Sequence, residues 1–200
     1  MKEYSIHRVN RRPDWSQVPI IKMEHSYLQS PDDIQAYAQI GYHADAMLVH
    51  LWAEEQNIRA VETDVLGMPC EDSCLEFFFR PLSGDPRYFN FEFNPNACMY
   101  LGIGQSIHDL VRLVPENAQV LFQPMIQRYE GGWEIYFQIP YQFICRFFPT
   151  FSVTPGKAIW ANCYKCSDLA EPPHYYSWSP VDCEDFTFHC PHCFGLMKFE

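Results

Sequence analysis

Residues 88–94 read YFNFEFN. Phenylalanine alternates with polar residues throughout. Phe89, Phe91 and Phe93 fall on one face of an extended chain, and Asn90, Glu92 and Asn94 on the other. A helix would scatter both sets around its axis, so the period of two marks a strand with one apolar and one polar face. The preceding segment, CLEFFFRP (74–81), reads as a partner strand joined through the turn LSGDPR (82–87). This pairing brings Glu76 toward the polar face of YFNFEFN. Its register decides which carboxyl meets which.

The rest of the chain extends the pattern. AMLVHLWAEE (46–55) is a strand, and NIRAVE (57–62) continues or re-enters the sheet. ACMYLGIG (97–104) follows the alternating strand. QVLFQPMIQRYEGGWEIYFQIP (119–140) reads as a hairpin turning at Gly131 and Gly132. YQFICRFF (141–148) suits one helical turn. KAIWANCYKCSD (157–168) and GLMKFE (195–200) are strands, with the loop-rich EPPHYYSWSP (171–180) between them. SPDDIQAYAQIGYHAD (30–45) is either a helix start or a loop leading into a strand. Residues 1–22 read as an irregular arm with Trp15 as its anchor. Short strands joined by turns, without long connecting helices, predict an all-β antiparallel sandwich of immunoglobulin or jelly-roll type with a few short helical turns. Residues 1–200 then form one domain.

Composition agrees with β structure: 16 Phe, 12 Tyr, 5 Trp and 16 Pro occur in 200 residues. The formal net charge of -11 disfavours a phosphate backbone and an anionic membrane surface. A neutral ligand meets no such repulsion. No apolar run is long enough for a membrane span. The first residues lack the apolar core of a signal peptide, and the nine cysteines are scattered. Reduced thiols in a cytoplasmic protein are therefore expected.

The polar face of YFNFEFN has two readings: a solvated outer face, or the floor of a polar ligand site. Amides and carboxylates supply both donors and acceptors, which suits sugar hydroxyls. The aromatics in loop-like segments, Tyr175, Tyr176, Trp178, Phe186 and Phe188, suit the apolar faces of a sugar ring.

The ordered set EDSCLEFFF, YFNFEFN followed by G-x-G, GGWEIYFQIP, WANCYKCSD, SWSP and FHCPHCFGLMKF resembles the family 9 carbohydrate-binding modules and their stand-alone relatives in the wider DOMON-like group. The resemblance spans roughly residues 40–200 and implies a β-sandwich that binds glycans or sugar chain ends without cleaving them. Carried over, it places sugar-binding roles on Glu76, Glu92 and Asn94. Glu92 stands where the family has an arginine, so a cationic donor is lost. A polar contact falls on Tyr164 or Lys165. Asp185 takes the place of an asparagine, and Phe188 that of a stacking tryptophan. The partner tryptophan, expected near Met68 and Pro69, is missing, which leaves Trp178 or Tyr175 to line the rim. No cofactor and no metal is expected. A protein-interaction sandwich that has lost sugar binding is the alternative.

Cys163, Cys166, Cys190 and Cys193 give two C-x2-C pairs with zinc-like spacing. On a strand, however, Cys163 and Cys166 point to opposite faces and cannot close one tetrahedron. A redox C-P-H-C needs a following helix that the chain does not offer. Haem would call on Met68 with His174, His189 or His192. Glycosidase chemistry needs two carboxyls across a cleft, and Glu76 and Glu92 instead share a floor. An enzyme is therefore not expected.

Overall fold

The computed structural model describes residues 1–200. Its strands are β1 (Glu3–Arg8), β2 (Ile21–Lys22), β3 (His25–Tyr27), β4 (Gln35–Tyr42), β5 (Ala46–Glu54), β6 (Cys74–Arg80), β7 (Tyr88–Phe93), β8 (Met99–Gly104) and β9 (Val111–Arg112). Helix α1 (Ala118–Phe122) precedes β10 (Met125–Tyr129) and β11 (Gly132–Pro140), and α2 (Tyr141–Phe147) precedes β12 (Ala158–Ser167), β13 (His174–Ser177) and β14 (Gly195–Phe199). No helix is long and apolar enough to cross a membrane.

The strands form two faces of a sandwich. One runs β10-β11-β5-β4, with β2 on the free side of β4; the other runs β14-β12-β6-β7-β8-β9, with β13 and β3 beside β12. Strand β1 joins them. Residues 3–6 pair in parallel with β14, and His7 and Arg8 pair in parallel with β4. Every other ladder is antiparallel. The expected sandwich is thus present, with parallel pairing confined to one strand.

That strand corrects the reading of residues 1–22 as an irregular arm. Tyr4 and Ile6 are buried while Glu3 and Arg8 are exposed, a period-two pattern only two repeats long. The charged and proline-containing stretch after it masks the signal. Trp15 is half-buried and rests against His50 and Tyr136, with centroids 5.3 and 5.9 Å away.

Two more expectations change. NIRAVE does not re-enter a sheet. The amides of Val61 and Glu62 donate to the Asp72 carboxylate at 2.9 and 2.8 Å, and the amide of Arg59 donates to the Ser73 hydroxyl. A buried side chain from another loop thus supplies the acceptors a ladder would have offered, and Val61 lies exposed. In the hairpin, residues 118–122 turn into α1 and the first strand begins only at Met125; the turn at Gly131 has φ of +85°, which glycine adopts without strain.

The core between the faces is built largely of rings. Phe77, Phe79, Phe89, Phe91, Phe93, Phe122 and Phe137 are all buried there. A second, smaller cluster lies on the outer face of β6 and β12: Phe78, Tyr88, Tyr164, Phe188 and Phe194 with Cys74, Cys166 and Cys190. It exists because residues 178–194, between β13 and β14, fold back over the sheet. This covering turns a solvated face into a cleft.

Candidate functional site

The register of β6 and β7 sets the floor. Glu76 stands directly opposite Glu92. The same row continues to Tyr164 on β12 and to Tyr100 on β8. Both glutamates are almost fully buried yet line an open cleft of about 570 Å³. Cys166 and Asp168 border the floor. Leu28, Met68, Cys70, Ile107, Leu110, Tyr175 and Phe186 to His189 complete the lining. The volume lies in the ordinary range for a small-ligand site, about 300–1,000 Å³.

The two carboxyls share one low-dielectric patch. Burial pushes Glu92 up to about 7, against a hydrogen bond of 2.6 Å from the Asn90 amide that favours its charge. Burial raises Glu76 further, and the neighbouring Glu92 charge adds to it; the Cys166 thiol donates to Glu76 at 2.9 Å. Near neutral pH the pair holds a proton, so the floor presents a donor as well as acceptors. His189 lies in the wall, lowered to about 4 by burial and therefore neutral; its Nδ1 shares a 2.8 Å hydrogen bond with the Tyr88 hydroxyl.

These shifts carry a stability prediction. Between about pH 4.5 and 7 the unfolded chain loses the Glu92 proton that the folded protein keeps. Stability therefore falls as pH rises through this window. Glu92→Gln mimics the protonated form. The variant is expected to be more stable than the wild type by on the order of 2 kcal/mol above pH 7 and equal to it near pH 4.5. Thermal melts across that range check it.

The structure brings together only part of the expected site. Glu76, Glu92 and Phe188 line the cleft, and Tyr175 takes a rim position. Asn94 shares the strand face but turns away. It donates to Glu62 O and Asp72 Oδ2, both at 2.8 Å, and its oxygen accepts from the amides of Asn96 and Cys98. Its amide nitrogen thus holds the 62–72 loop and its oxygen the turn at 94–98. Tyr164 is fully buried beneath Phe188, stacked at 4.1 Å, and its hydroxyl donates to Phe188 O. Lys165 points to the opposite face of β12, where Glu55 and His174 enclose it. Trp178 belongs to the inter-sheet core, edge-on to Tyr4, and packs so closely on Gly195 that a Cβ there would lie 2.7 Å from its ring. Asp185 is exposed and outside the lining.

Phe188 itself is a wall rather than an open platform. It is 8% exposed, with Tyr164 on one face and Tyr27, Tyr175 and Phe186 edge-on around it. The rings left accessible are Tyr100, Tyr175 and Phe186. Tyr100 carries the Arg112 guanidinium 4.5 Å from its centroid, and Arg112 also donates to the carbonyls of Val65, Leu66 and Gly67. One cation thus fixes both a ring and the loop beside it. Sequence reasoning missed Tyr100; it is the aromatic residue of the strand after YFNFEFN, and antiparallel pairing sets it opposite Glu92. Cys166, Asp168 and His189 had no comparable signal. Of the haem candidates, Met68 and His189 line this cleft, while His174 lies with Lys165 outside it.

A family model described as carbohydrate-binding family 9 matches residues 10–199. The chain belongs to carbohydrate-binding family 9. Among solved structures, a candidate carbohydrate-binding protein from Bacteroides uniformis ATCC 8492 is 27% identical; the alignment covers 100% of this chain and 99% of that one, with a TM-score of 0.83. Two structures of a family 9 module from Caldicellulosiruptor kristjanssonii, one with glucose and one with cellotriose, share the fold at a TM-score of 0.68 and at 11% and 12% identity. Those alignments cover this chain fully, and 96% and 94% of the module. No curated protein matches. The family 9 match takes in both faces of the sandwich and every wall of the cleft.

Proposed function

We propose that this family 9 protein binds a neutral saccharide in the cleft over Glu76 and Glu92, without cleaving it. The observation that carries the reading is the juxtaposition of paired buried carboxyls with half-buried rings. Sugar hydroxyls meet acceptors and a donor on the floor, while Tyr100, Tyr175 and Phe186 offer apolar surface to the C–H faces of the ring. Family membership and the glucose and cellotriose held by a related module support the same substrate class.

The carboxyl arrangement argues against hydrolysis. A glycosidase places its two carboxyls on either side of the scissile bond. Here they are cross-strand neighbours on a single floor, so both lie on the same side of a ring seated over it.

Calorimetric titration with glucose and cello-oligosaccharides is the test. One saturable site is expected, with no release of reducing ends on prolonged incubation. Absence of heat with every neutral saccharide up to about 10 mM would overturn the assignment.

A further inference from the structure

We propose that Cys183, Cys190, His192 and Cys193 form a zinc site that fastens the 178–194 loop over the sheet. The group is separate from the cleft floor. Its four ligand atoms, three sulfurs and one imidazole nitrogen, all lie within 4.8 Å of one another. Cys190 Sγ is 3.1 Å from Cys193 Sγ and 3.2 Å from His192 Nε2; Cys183 Sγ is 4.0 Å from each of those two atoms. Zinc arms of about 2.3 Å to sulfur and about 2.0 Å to nitrogen set tetrahedral ligand atoms roughly 3.5–3.8 Å apart, which these four distances bracket; the bonded sulfurs of Cys183 and Cys190 lie closer and would have to separate.

The backbone provides what a zinc knuckle needs. Pro191–Cys193 form a tight turn, closed by the Cys193 amide donating to Cys190 O at 2.9 Å. The C-x2-C of this segment therefore lies on a turn, unlike Cys163 and Cys166, which lie on β12 with one buried in each cluster. The Asp182 amide points at Cys193 Sγ at 3.4 Å, an N–H that stabilises a thiolate. His192 is exposed, so the metal has an entry path.

Cys183 and Cys190 are in disulfide contact, with their Cα atoms 7.0 Å apart. That separation lies at the outer edge of disulfide geometry. A disulfide also accounts for only two of the four converging groups and leaves His192 Nε2 and Cys193 Sγ gathered on the same sulfur without a reason. Disulfide and metal are alternative states of Cys183 and Cys190. Zinc requires both reduced: where the disulfide has formed, a thiol reductant supplies the two electrons that open it, and each of the three thiols then gives its proton to solvent on binding. Its role is structural. The loop it closes carries Phe186, Phe188 and His189, which form one wall of the cleft, and it has no strand of its own across residues 178–194.

The test is metal content, which does not depend on whether the cleft binds sugar. Protein expressed with zinc in the medium and purified with a non-chelating reductant is expected to hold one zinc per chain. Cys193→Ser and His192→Ala each remove it, with the far-ultraviolet dichroism of the wild type retained. Cobalt exchanged into the wild type gives the intense visible bands of a tetrahedral thiolate site. Removal of the metal by chelation exposes residues 180–194 to proteolysis while far-ultraviolet dichroism stays unchanged. A wild type without zinc, or zinc retained by both variants, overturns the proposal.

Discussion

Lys165→Met is expected to cost roughly 3–5 kcal/mol of stability, among the largest effects of any single substitution in this chain. Lys165 and Glu55 are both buried, with Nζ 3.2 Å from Oε2. The Lys165 Nζ also lies 2.7 Å from His174 Nε2 and donates to Cys166 O at 3.0 Å. Glu55 accepts from the Ser73 hydroxyl at 2.7 Å and lies 3.3 Å from His174 Nε2. Burial alone would raise Glu55; the Lys165 charge and the hydrogen bonds from His174 and Ser73 outweigh it and hold the group at about 2. Removing the cation strands a carboxylate that is almost fully buried. The Glu55 contribution is present above its ordinary value of 4.5 and is lost as pH falls through about 2. Urea unfolding with an unchanged slope measures the loss. The double variant Lys165→Met/Glu55→Gln should recover much of it, since no unpaired charge remains. A single-variant loss below about 1 kcal/mol would show that the ion pair is screened, in conflict with its burial.

Glu92→Ala is expected to weaken saccharide binding by about 10- to 100-fold, the range for hydrogen bonds to a charged group. Two effects combine. The floor loses a carboxyl that faces the cleft, and Glu76 loses the neighbour whose charge helps to raise it. Wild-type affinity should strengthen as pH rises through about 7, where Glu92 ionises and accepts charge-assisted hydrogen bonds from hydroxyls. That dependence should flatten in Glu92→Gln. Asp185→Ala, outside the cleft and exposed, should change affinity less than about twofold. Equal losses in both variants would mean that the bound sugar does not face the floor.

The strand pattern of YFNFEFN was enough to orient the sandwich, because alternation ties each side chain to a face. It also placed Glu76 and Glu92 together once the hairpin was recognised. What sequence periodicity does not carry is the fate of a polar face. Asn94 and Glu92 share one, yet the first is spent on the 62–72 loop and the second lines a cleft. Loops that return over the sheet make that difference, and their paths depend on long-range contacts such as Asp72 with Val61 and Glu62. Strand phase likewise decided Tyr164 and Lys165. The resemblance left a one-residue ambiguity; the register turns Lys165 into the Glu55 cage and puts Tyr164 on the cleft side, where Phe188 covers it. The N-terminal strand was missed because its two buried residues are too few to stand out beside Arg11, Arg12 and Pro13.

Methyl-labelled methionine resonances locate the binding site most directly. The chain has seven methionines. Met68 is 40% exposed and lies in the cleft wall, whereas Met125 is 64% exposed on the other face of the sandwich, at strand β10. Titration with glucose or a cello-oligosaccharide should move the Met68 methyl signal in a saturable way and leave Met125 still. A shift at Met125 alone, or saturable binding with no shift at Met68, would contradict a saccharide seated over Glu76 and Glu92.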